Sequence, residues 1–308
     1  MNRFIRLRLL AMLLCLPFLL IFISGCGSSS QKKDEPPVYS PLQVLVPEAT
    51  GKETLGSSPM ILDVSNISQG YFIAQSDSSD LTCSLQIISP SGVLYSYFIA
   101  PEESATVTFT EGSGDYTITG YQQVQGDQYA ALYSETVTVQ LENDFLPFLY
   151  PNQYVNFTPD SKASQLALSL IDEDTVDVDA LQQIYDYVVS NLTYDYEKAD
   201  TVTTGYLPDV DETLKTGTGI CFDYAALTTA MLRSCDIPCK LQIGYAGDIK
   251  HAWIDVYIRS KGWVNQAVSF KGDTWTLMDP TFDSNSDDKE AIQDYIGDES
   301  NYTVQFTR

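Results

Sequence analysis

This sequence of 308 residues has very little histidine and few basic residues. It contains one histidine, His251, and 17 lysines and arginines against 41 aspartates and glutamates, which gives a formal net charge of −24. A nucleic-acid-binding protein needs a basic surface that neutralises phosphates, and no basic stripe offsets this charge. A single histidine also argues against a histidine-rich metal site. We therefore expect no nucleic-acid partner, no metal and no cofactor.

Long apolar runs are absent beyond the first 26 residues. Three arginines precede an apolar run over residues 9–23, which is short for a membrane span, and a small-residue site then ends at Cys26. This order resembles a bacterial lipoprotein signal, in which Cys26 is lipidated and becomes the first residue of the mature protein. The alternatives are a plain secretory signal and a membrane anchor. We expect residues 1–26 to be a lipoprotein signal peptide and the lipid to hold the protein at the extracytoplasmic face of a cell membrane.

The cysteines do not form the even, closely spaced set of a disulfide framework. Five of them lie outside the apolar run: Cys26, Cys83, Cys221, Cys235 and Cys239. In an oxidising envelope Cys235 and Cys239 could pair, or both could be small buried core residues. The spacing leaves this open, and it also leaves the oligomeric state open.

Changes in composition and in hydrophobic pattern along the chain divide it into a tether and two domains. Residues 27–42 are rich in Gly, Ser and Pro and are expected to be a flexible tether. Residues 43–141 show short alternating runs separated by turn clusters, which predicts an all-β, immunoglobulin-like sandwich. Residues 142–308 are expected to form an α+β domain, because helical patterns come first and strands follow.

Within the second domain, residues 177–192 carry one apolar stripe at helical spacing and predict its clearest helix. A short helix is expected at 161–171, a strand at 154–157 and a loop over 198–219. A helix beginning around Cys221 and ending before Pro238 should follow. Strands are then expected at 240–245, 252–258, 263–270 and 274–278, the last three as an antiparallel meander.

Three short stretches carry candidate chemistry: Gly219–Ala225, His251–Trp253 and Met278–Phe282. Cys221 follows a glycine-containing loop and opens a helix, where the free amides and the helix dipole favour a thiolate. His251 is the one side chain suited to carry a proton near neutral pH. Asp279 ends a strand at Pro280 and could fix the imidazole tautomer. Taken singly, each has an ordinary alternative: a buried cysteine, a structural histidine and a turn aspartate.

Together these stretches read GICFDYA, HAW and DPTF in that order, which resembles the transglutaminase-like superfamily over roughly residues 145–290. The resemblance implies a papain-like core with the cysteine on a helix and the other two residues on adjacent strands. It assigns Cys221 as nucleophile, His251 as base and acid, and Asp279 as the orienting group. It also implies an upstream aromatic oxyanion donor, for which Tyr194 ranks ahead of Tyr196 and Tyr206.

Residues 283–294 place oxygen-bearing side chains at several positions of a calcium loop. Asp288 replaces the glycine that such a loop requires, so a solvated acidic loop is the better interpretation and no metal is expected.

The sequence therefore predicts an extracytoplasmic cysteine enzyme that acts on protein or peptide amides through a thioester. A peptidase or amidase needs only water as acceptor and is favoured. The alternatives are a transglutaminase with an amine acceptor and a non-catalytic, lipid-anchored binding module of the envelope.

Overall fold

A computed structural model describes residues 34–265, 268–271, 274–277 and 302–308. The chain divides into two units, residues 1–30 and residues 31–308, and all described residues lie in the second. The predicted lipidation site Cys26, the predicted orienting residue Asp279 and the acidic stretch 283–294 lie outside the described residues. Within them, no helix is both long and apolar enough to cross a membrane.

The first half of the described chain consists of eight antiparallel strands. The strands are β1 (Thr54–Ser57), β2 (Met60–Asp63), β3 (Tyr71–Ser76), β4 (Cys83–Ile88), β5 (Leu94–Ile99), β6 (Ser104–Thr108), β7 (Gly114–Gln125) and β8 (Gln128–Val139). One sheet has the order β1-β2-β3-β6 and the other the order β5-β4-β7-β8.

These two sheets share one hydrophobic core. Buried side chains from β2, β3 and β6 contact buried side chains from β4, β5, β7 and β8 in a single cluster. Alternation explains this, since successive strand residues point to opposite faces; in β5 the residues Tyr95, Tyr97 and Ile99 are buried while Leu94 and Phe98 are exposed. The strands predicted for this part of the chain are thus present, and the immunoglobulin-like type of the sandwich stays a prediction.

The second half of the described chain contains five helices: α1 (Lys162–Leu170), α2 (Asp177–Asn191), α3 (Tyr196–Thr201), α4 (Val210–Thr216) and α5 (Cys221–Ser234). Helices α1, α2 and α5 lie where the sequence predicted them. Helices α3 and α4 fall within the predicted loop, so that prediction was wrong. Both are too short to show an apolar period, and each begins where an aspartate side chain, Asp195 or Asp209, accepts hydrogen bonds from first-turn amides.

The remaining described strands form one four-stranded sheet and two two-stranded pairs. A two-stranded parallel pair joins β9 (Thr193–Tyr194) to β10 (Thr218–Gly219), and a four-stranded antiparallel sheet has the order β13-β12-β11-β16. Its strands are β11 (Cys239–Ala246), β12 (Ile249–Ile258), β13 (Gly262–Val264) and β16 (Tyr302–Thr307). Strands β14 (Val268–Lys271) and β15 (Thr274–Leu277) form a separate antiparallel pair.

Two strand predictions need correction. The predicted meander is divided, because β13 pairs with β12 while β14 and β15 pair only with each other. Residues 154–157 form no strand, and a single bridge joins Asn152 to Val155. Burial of Val155 and Phe157 in the core explains the apolar pattern there without strand pairing.

Helix α5 is the centre of the second half. From Asp223 to Ser234 every residue is buried, and its apolar side chains join α1, α2, β11 and β12 in one cluster. A helix buried on nearly all sides is fixed in position by its neighbours. The residue at its N-terminus, Cys221, is therefore held rigidly.

Arg233, near the end of α5, is fully buried and has only carbonyl partners. Nε and Nη2 donate to the Cys239 carbonyl at 3.0 and 2.8 Å, Nη1 to the Tyr150 carbonyl at 2.7 Å, and Nη2 to the Arg308 carbonyl at 2.9 Å. Burial lowers the pKa of Arg233 to about 10. The guanidinium thus connects α5 to β11, to the segment before α1 and to the residue after β16.

The described part of the predicted tether contacts the rest of the protein. The Tyr39 amide donates to Asp236 Oδ2 at 3.1 Å, and Arg259 Nη2 donates to the Pro37 carbonyl at 3.1 Å. Asp236 has a positive φ of 58° and is buried, and its Oδ1 has no partner among the described residues. Burial raises the pKa of Asp236 to about 7, against the opposing effects of the Tyr39 amide and Arg259.

We expect Arg233→Met to lower the free energy of unfolding by about 3 kcal/mol, because the buried carbonyls of Tyr150 and Cys239 lose the guanidinium donors, while the Arg308 carbonyl keeps the Leu241 amide. Urea unfolding followed by circular dichroism measures it. Lys215→Met, at an exposed pair with Glu212, is the matched control and should change stability by less than about 0.5 kcal/mol. A loss as small as the control's would show that the carbonyls are satisfied without Arg233.

Asp236 predicts a pH-dependent contribution to stability. Between its ordinary pKa of 3.8 and its folded value of about 7, the carboxyl ionises in the unfolded chain before it does so in the folded protein. Its contribution should therefore be largest below pH 3.8 and decline as pH rises to about 7. Asp236→Asn tolerates the left-handed backbone and should remove that slope. Parallel stability-versus-pH curves for wild type and variant would contradict this.

Candidate active site

Cys221 is the first residue of α5. The chain reaches it through Gly217, whose φ is 63°, and through Gly219 on β10. A Cβ on Gly219 would lie 2.6 Å from the Asp223 Cβ, so that position requires glycine. The Cys221 side chain is partly exposed at the end of the helix where unpaired amides and the dipole favour a negative charge.

His251 is the third residue of β12 and lies opposite Gly244 on β11. The predicted strand start at residue 252 was three residues late, since β12 begins at Ile249. The imidazole is buried and stacks on Trp253, with ring centroids 6.3 Å apart and planes 17° apart. A Cβ on Gly244 would lie 1.9 Å from the Thr303 carbonyl oxygen on β16 and 3.0 Å from the Trp253 ring. Because glycine has no side chain, Gly244 permits β16 to pack closely beside β11 at the point where His251 of β12 lies opposite on the other side.

One cavity of about 490 Å³ brings the two residues together. Cys221 and His251 both line it, as does Tyr194. One wall comes from β5 of the first half, through Leu94, Ser96 and Phe98. The cavity is therefore built from both halves of the described chain.

Tyr194 is placed by the parallel pairing of β9 with β10. Tyr194 lies opposite Gly219, and the Asp195 amide donates to the Gly219 carbonyl at 2.8 Å. This fixes Tyr194 beside the residues that lead into Cys221. Tyr196 is 66% exposed and does not line the cavity. Tyr206 lines it, but its hydroxyl donates a hydrogen bond to Asp223.

Asp223 brings a buried negative charge within two residues of Cys221. Its Oδ2 accepts from the Ile220 amide at 2.8 Å and lies 2.8 Å from Lys198 Nζ. Its Oδ1 accepts from the Tyr206 hydroxyl at 2.5 Å, and Lys198 Nζ donates to that hydroxyl at 2.6 Å. Lys198 therefore offsets the carboxylate that would otherwise disfavour a thiolate at Cys221.

The protonation states of Lys198 and Tyr206 follow from their contacts. Burial lowers the pKa of Lys198, but the hydrogen bonds to Asp223 and Tyr206 outweigh that effect and hold the pKa above its ordinary value. Burial and the hydrogen bond to Asp223 raise the pKa of Tyr206 to about 12, despite the opposing charge of Lys198. At neutral pH the lysine is a cation and the phenol is neutral.

Lys198 and the ion pair that it makes were not identified from the sequence. Lys198 lies 25 positions before Asp223 in a stretch predicted as loop, and no local spacing signals the contact. Among the described residues no cluster of three or more histidines, cysteines and carboxylates forms a metal site. Cys83, Cys235 and Cys239 are buried free thiols, so Cys235 and Cys239 do not pair in this structure.

We expect Lys198→Met to slow alkylation of Cys221 by iodoacetamide at pH 7 about tenfold, because the unpaired Asp223 carboxylate opposes the thiolate. Labelling at Cys221 is read by peptide mass spectrometry over time. The double variant Lys198→Met with Asp223→Asn should recover most of the rate, since it removes both charges and keeps an acceptor for the Ile220 amide. Lys215→Met serves as the control. Equal rates in wild type and the single variant would exclude this electrostatic role.

Solved structures similar to this chain include a proposed cysteine protease from Cytophaga hutchinsonii, at 18% identity and a TM-score of 0.38, covering 83% of this chain and 84% of that one. The periplasmic domain of TgpA from Pseudomonas aeruginosa matches at 13% identity and a TM-score of 0.33, covering 77% and 95%. Red sea bream transglutaminase matches at 15% identity and a TM-score of 0.26 over 70% of this chain and 48% of its own.

The chain has no match among curated protein sequences. Residues 164–280 match the family model described as the transglutaminase-like superfamily. That span includes Cys221, His251 and Asp279. The resemblance inferred from the three sequence motifs is confirmed for this segment, since residues 164–280 match the transglutaminase-like family model.

Proposed function

We propose that this protein is a cysteine acyl-transfer enzyme that acts on peptide or side-chain amides through a thioester on Cys221. The observation that carries the proposal is the shared cavity: a cysteine at a helix N-terminus and the one histidine of the sequence line the same opening. A thiol nucleophile, a proton carrier and an accessible space for a carbonyl are the requirements of this chemistry.

The proposed reaction assigns a step to each residue. The Cys221 sulfur attacks the amide carbon, and the first amides of α5, with the Tyr194 hydroxyl, stabilise the oxyanion that forms. His251 gives a proton to the leaving amine, and the acyl group remains on the sulfur. The acceptor then attacks the thioester, and His251 takes its proton. Asp279 is proposed from its motif to orient the imidazole.

Hydrolysis is the favoured outcome, because water is a sufficient acceptor and no second substrate site is required. A lysine amine as acceptor would make the protein a transglutaminase. The distinction lies in how well the cavity excludes water while the thioester exists.

The site of action is proposed from the leader. The lipoprotein-like signal ending at Cys26 would place the enzyme on the outer side of a membrane, near envelope proteins and peptides. The periplasmic location in the name of the Pseudomonas aeruginosa domain belongs to that protein, and an extracytoplasmic setting for this chain is our proposal.

A non-catalytic, lipid-anchored binding module is the competing function. Such a module would not need a partly buried lysine that offsets a carboxylate beside the cysteine. The ion pair of Lys198 with Asp223 is therefore the observation that favours an enzyme.

We expect the protein to convert amides in a mixture of glutamine- and lysine-containing peptides, and mass spectrometry with and without added primary amine separates cleavage, deamidation and ligation. Cleavage or deamidation without amine incorporation is the expected result. Cys221→Ala should reduce turnover about 1,000-fold or more, and His251→Gln about 100-fold or more.

Cys83→Ala is the control for thiol loss outside the cavity and should keep full turnover if it remains folded, since Cys83 is buried in the first half. Amine incorporation as the main product would replace hydrolysis by transamidation. Equal turnover in wild type and Cys221→Ala would rule out the thioester mechanism.

A further inference from the structure

The cavity has a charge opposite to that of the chain. The sequence has 41 acidic residues and 17 basic residues, yet the described lining of the cavity includes Lys250, His251 and Arg308 and no aspartate or glutamate. The basic side chains of the cavity attract anions, whereas the acidic remainder of the protein repels them.

Arg308 is the unusual member of this lining. The residue is 4% exposed, and its guanidinium lies over a group of aromatic rings. The guanidinium carbon is 4.1 Å from the Tyr154 ring centroid, 4.6 Å from Tyr95, 4.9 Å from Tyr97 and 5.4 Å from Phe306. These rings stabilise the cation and hold it flat.

The hydrogen-bonding capacity of this guanidinium is only partly used. Nη1 donates to the Tyr97 hydroxyl at 2.8 Å, and Nε is buried without an acceptor among the described residues. No ion pair joins Arg308 to a carboxylate in the described part of the chain. A buried Nε–H without a partner is costly, and water or a ligand is expected to satisfy it.

Arg308 is one of the residues that line the cavity containing Cys221. Arg308 stacks on Tyr154, whose ring is 6.4 Å from that of Phe222, the residue after Cys221. Arg308 and Cys221 line the same cavity. A group bound to the guanidinium would therefore lie in the same space as an amide presented to the thiol.

We propose that this cavity contains a carboxylate subsite centred on Arg308, with Lys250 at its exposed rim, and that the ligand is an acyl donor bearing a carboxylate near the attacked amide. A carboxylate is planar and accepts strong, charge-assisted hydrogen bonds from a guanidinium. An acidic side chain or a free C-terminal carboxylate of a peptide would supply it. The acyl-donor part of this inference rests on the proposed function, and the carboxylate part does not.

Alkylation of Cys221 by two reagents of similar size tests the subsite without requiring turnover. Iodoacetate carries a carboxylate and iodoacetamide is neutral, and both transfer their carbon to the thiolate with loss of iodide. We expect Arg308→Gln to lower the iodoacetate-to-iodoacetamide rate ratio at Cys221 about tenfold, as expected for loss of a hydrogen bond to a charged group. Lys250→Gln should lower it less, because Lys250 is exposed. The iodoacetamide rate is measured in each variant in parallel, so that a general change in thiol reactivity cancels in the ratio.

Lys215→Gln removes the same charge from an exposed site that does not line the cavity and should keep the wild-type ratio. Added salt should reduce the wild-type ratio toward that of the variants. An unchanged ratio in Arg308→Gln overturns the subsite. Slow iodoacetamide labelling in wild type would instead count against the activated thiol and leave the ratio as a separate result.

A wild-type measurement covers the case in which Arg308→Gln does not fold. N-acetylglutamate should protect Cys221 from iodoacetamide saturably, and N-acetylglutaminamide, its neutral counterpart in which both carboxylates are amides, should protect at least about tenfold more weakly. Equal protection by the two compounds overturns the proposal.

Discussion

The buried guanidinium of Arg233 connects parts of the chain that are far apart in sequence. It donates to carbonyls of Tyr150, Cys239 and Arg308, so one cation at the end of α5 contacts the segment before α1, the first residue of β11 and the residue that follows β16. The four hydrogen bonds to these carbonyls offset the cost of burying the charge, which makes the arrangement cooperative. Cys221 at the opposite end of α5 and Arg308 at the cavity depend on the same contacts.

The sequence predicted the parts of the fold that have a local cause. The apolar stripe of α2, the helix that opens at Cys221 and the alternation of the first eight strands each follow from spacing within a few residues. The order of the three motifs predicted the transglutaminase-like domain, which the family match over residues 164–280 confirms. Tyr194, which ranked first among the aromatic candidates, lines the cavity, and its role as an oxyanion donor stays a prediction.

Other features depend on contacts between distant residues and could not be predicted. Strand β16 pairs with β11 across roughly 60 residues, and nothing in its own composition identifies that partner. Lys198 meets Asp223 only because β9 and β10 bring the two ends of the intervening segment together. The aromatic surroundings of Arg308 combine residues from β5, from the segment before α1 and from β16.

The pairing of β9 with β10 closes the intervening residues, 195–217, into a loop with both ends fixed beside Cys221. Part of that loop, from Ala199 to Leu207, lines the cavity. Because loop closure depends only weakly on loop length, residues could be inserted in or removed from its middle at small energetic cost. Relatives could thus acquire different substrate preferences by changing this loop, while the positions of the thiol and the imidazole stayed the same.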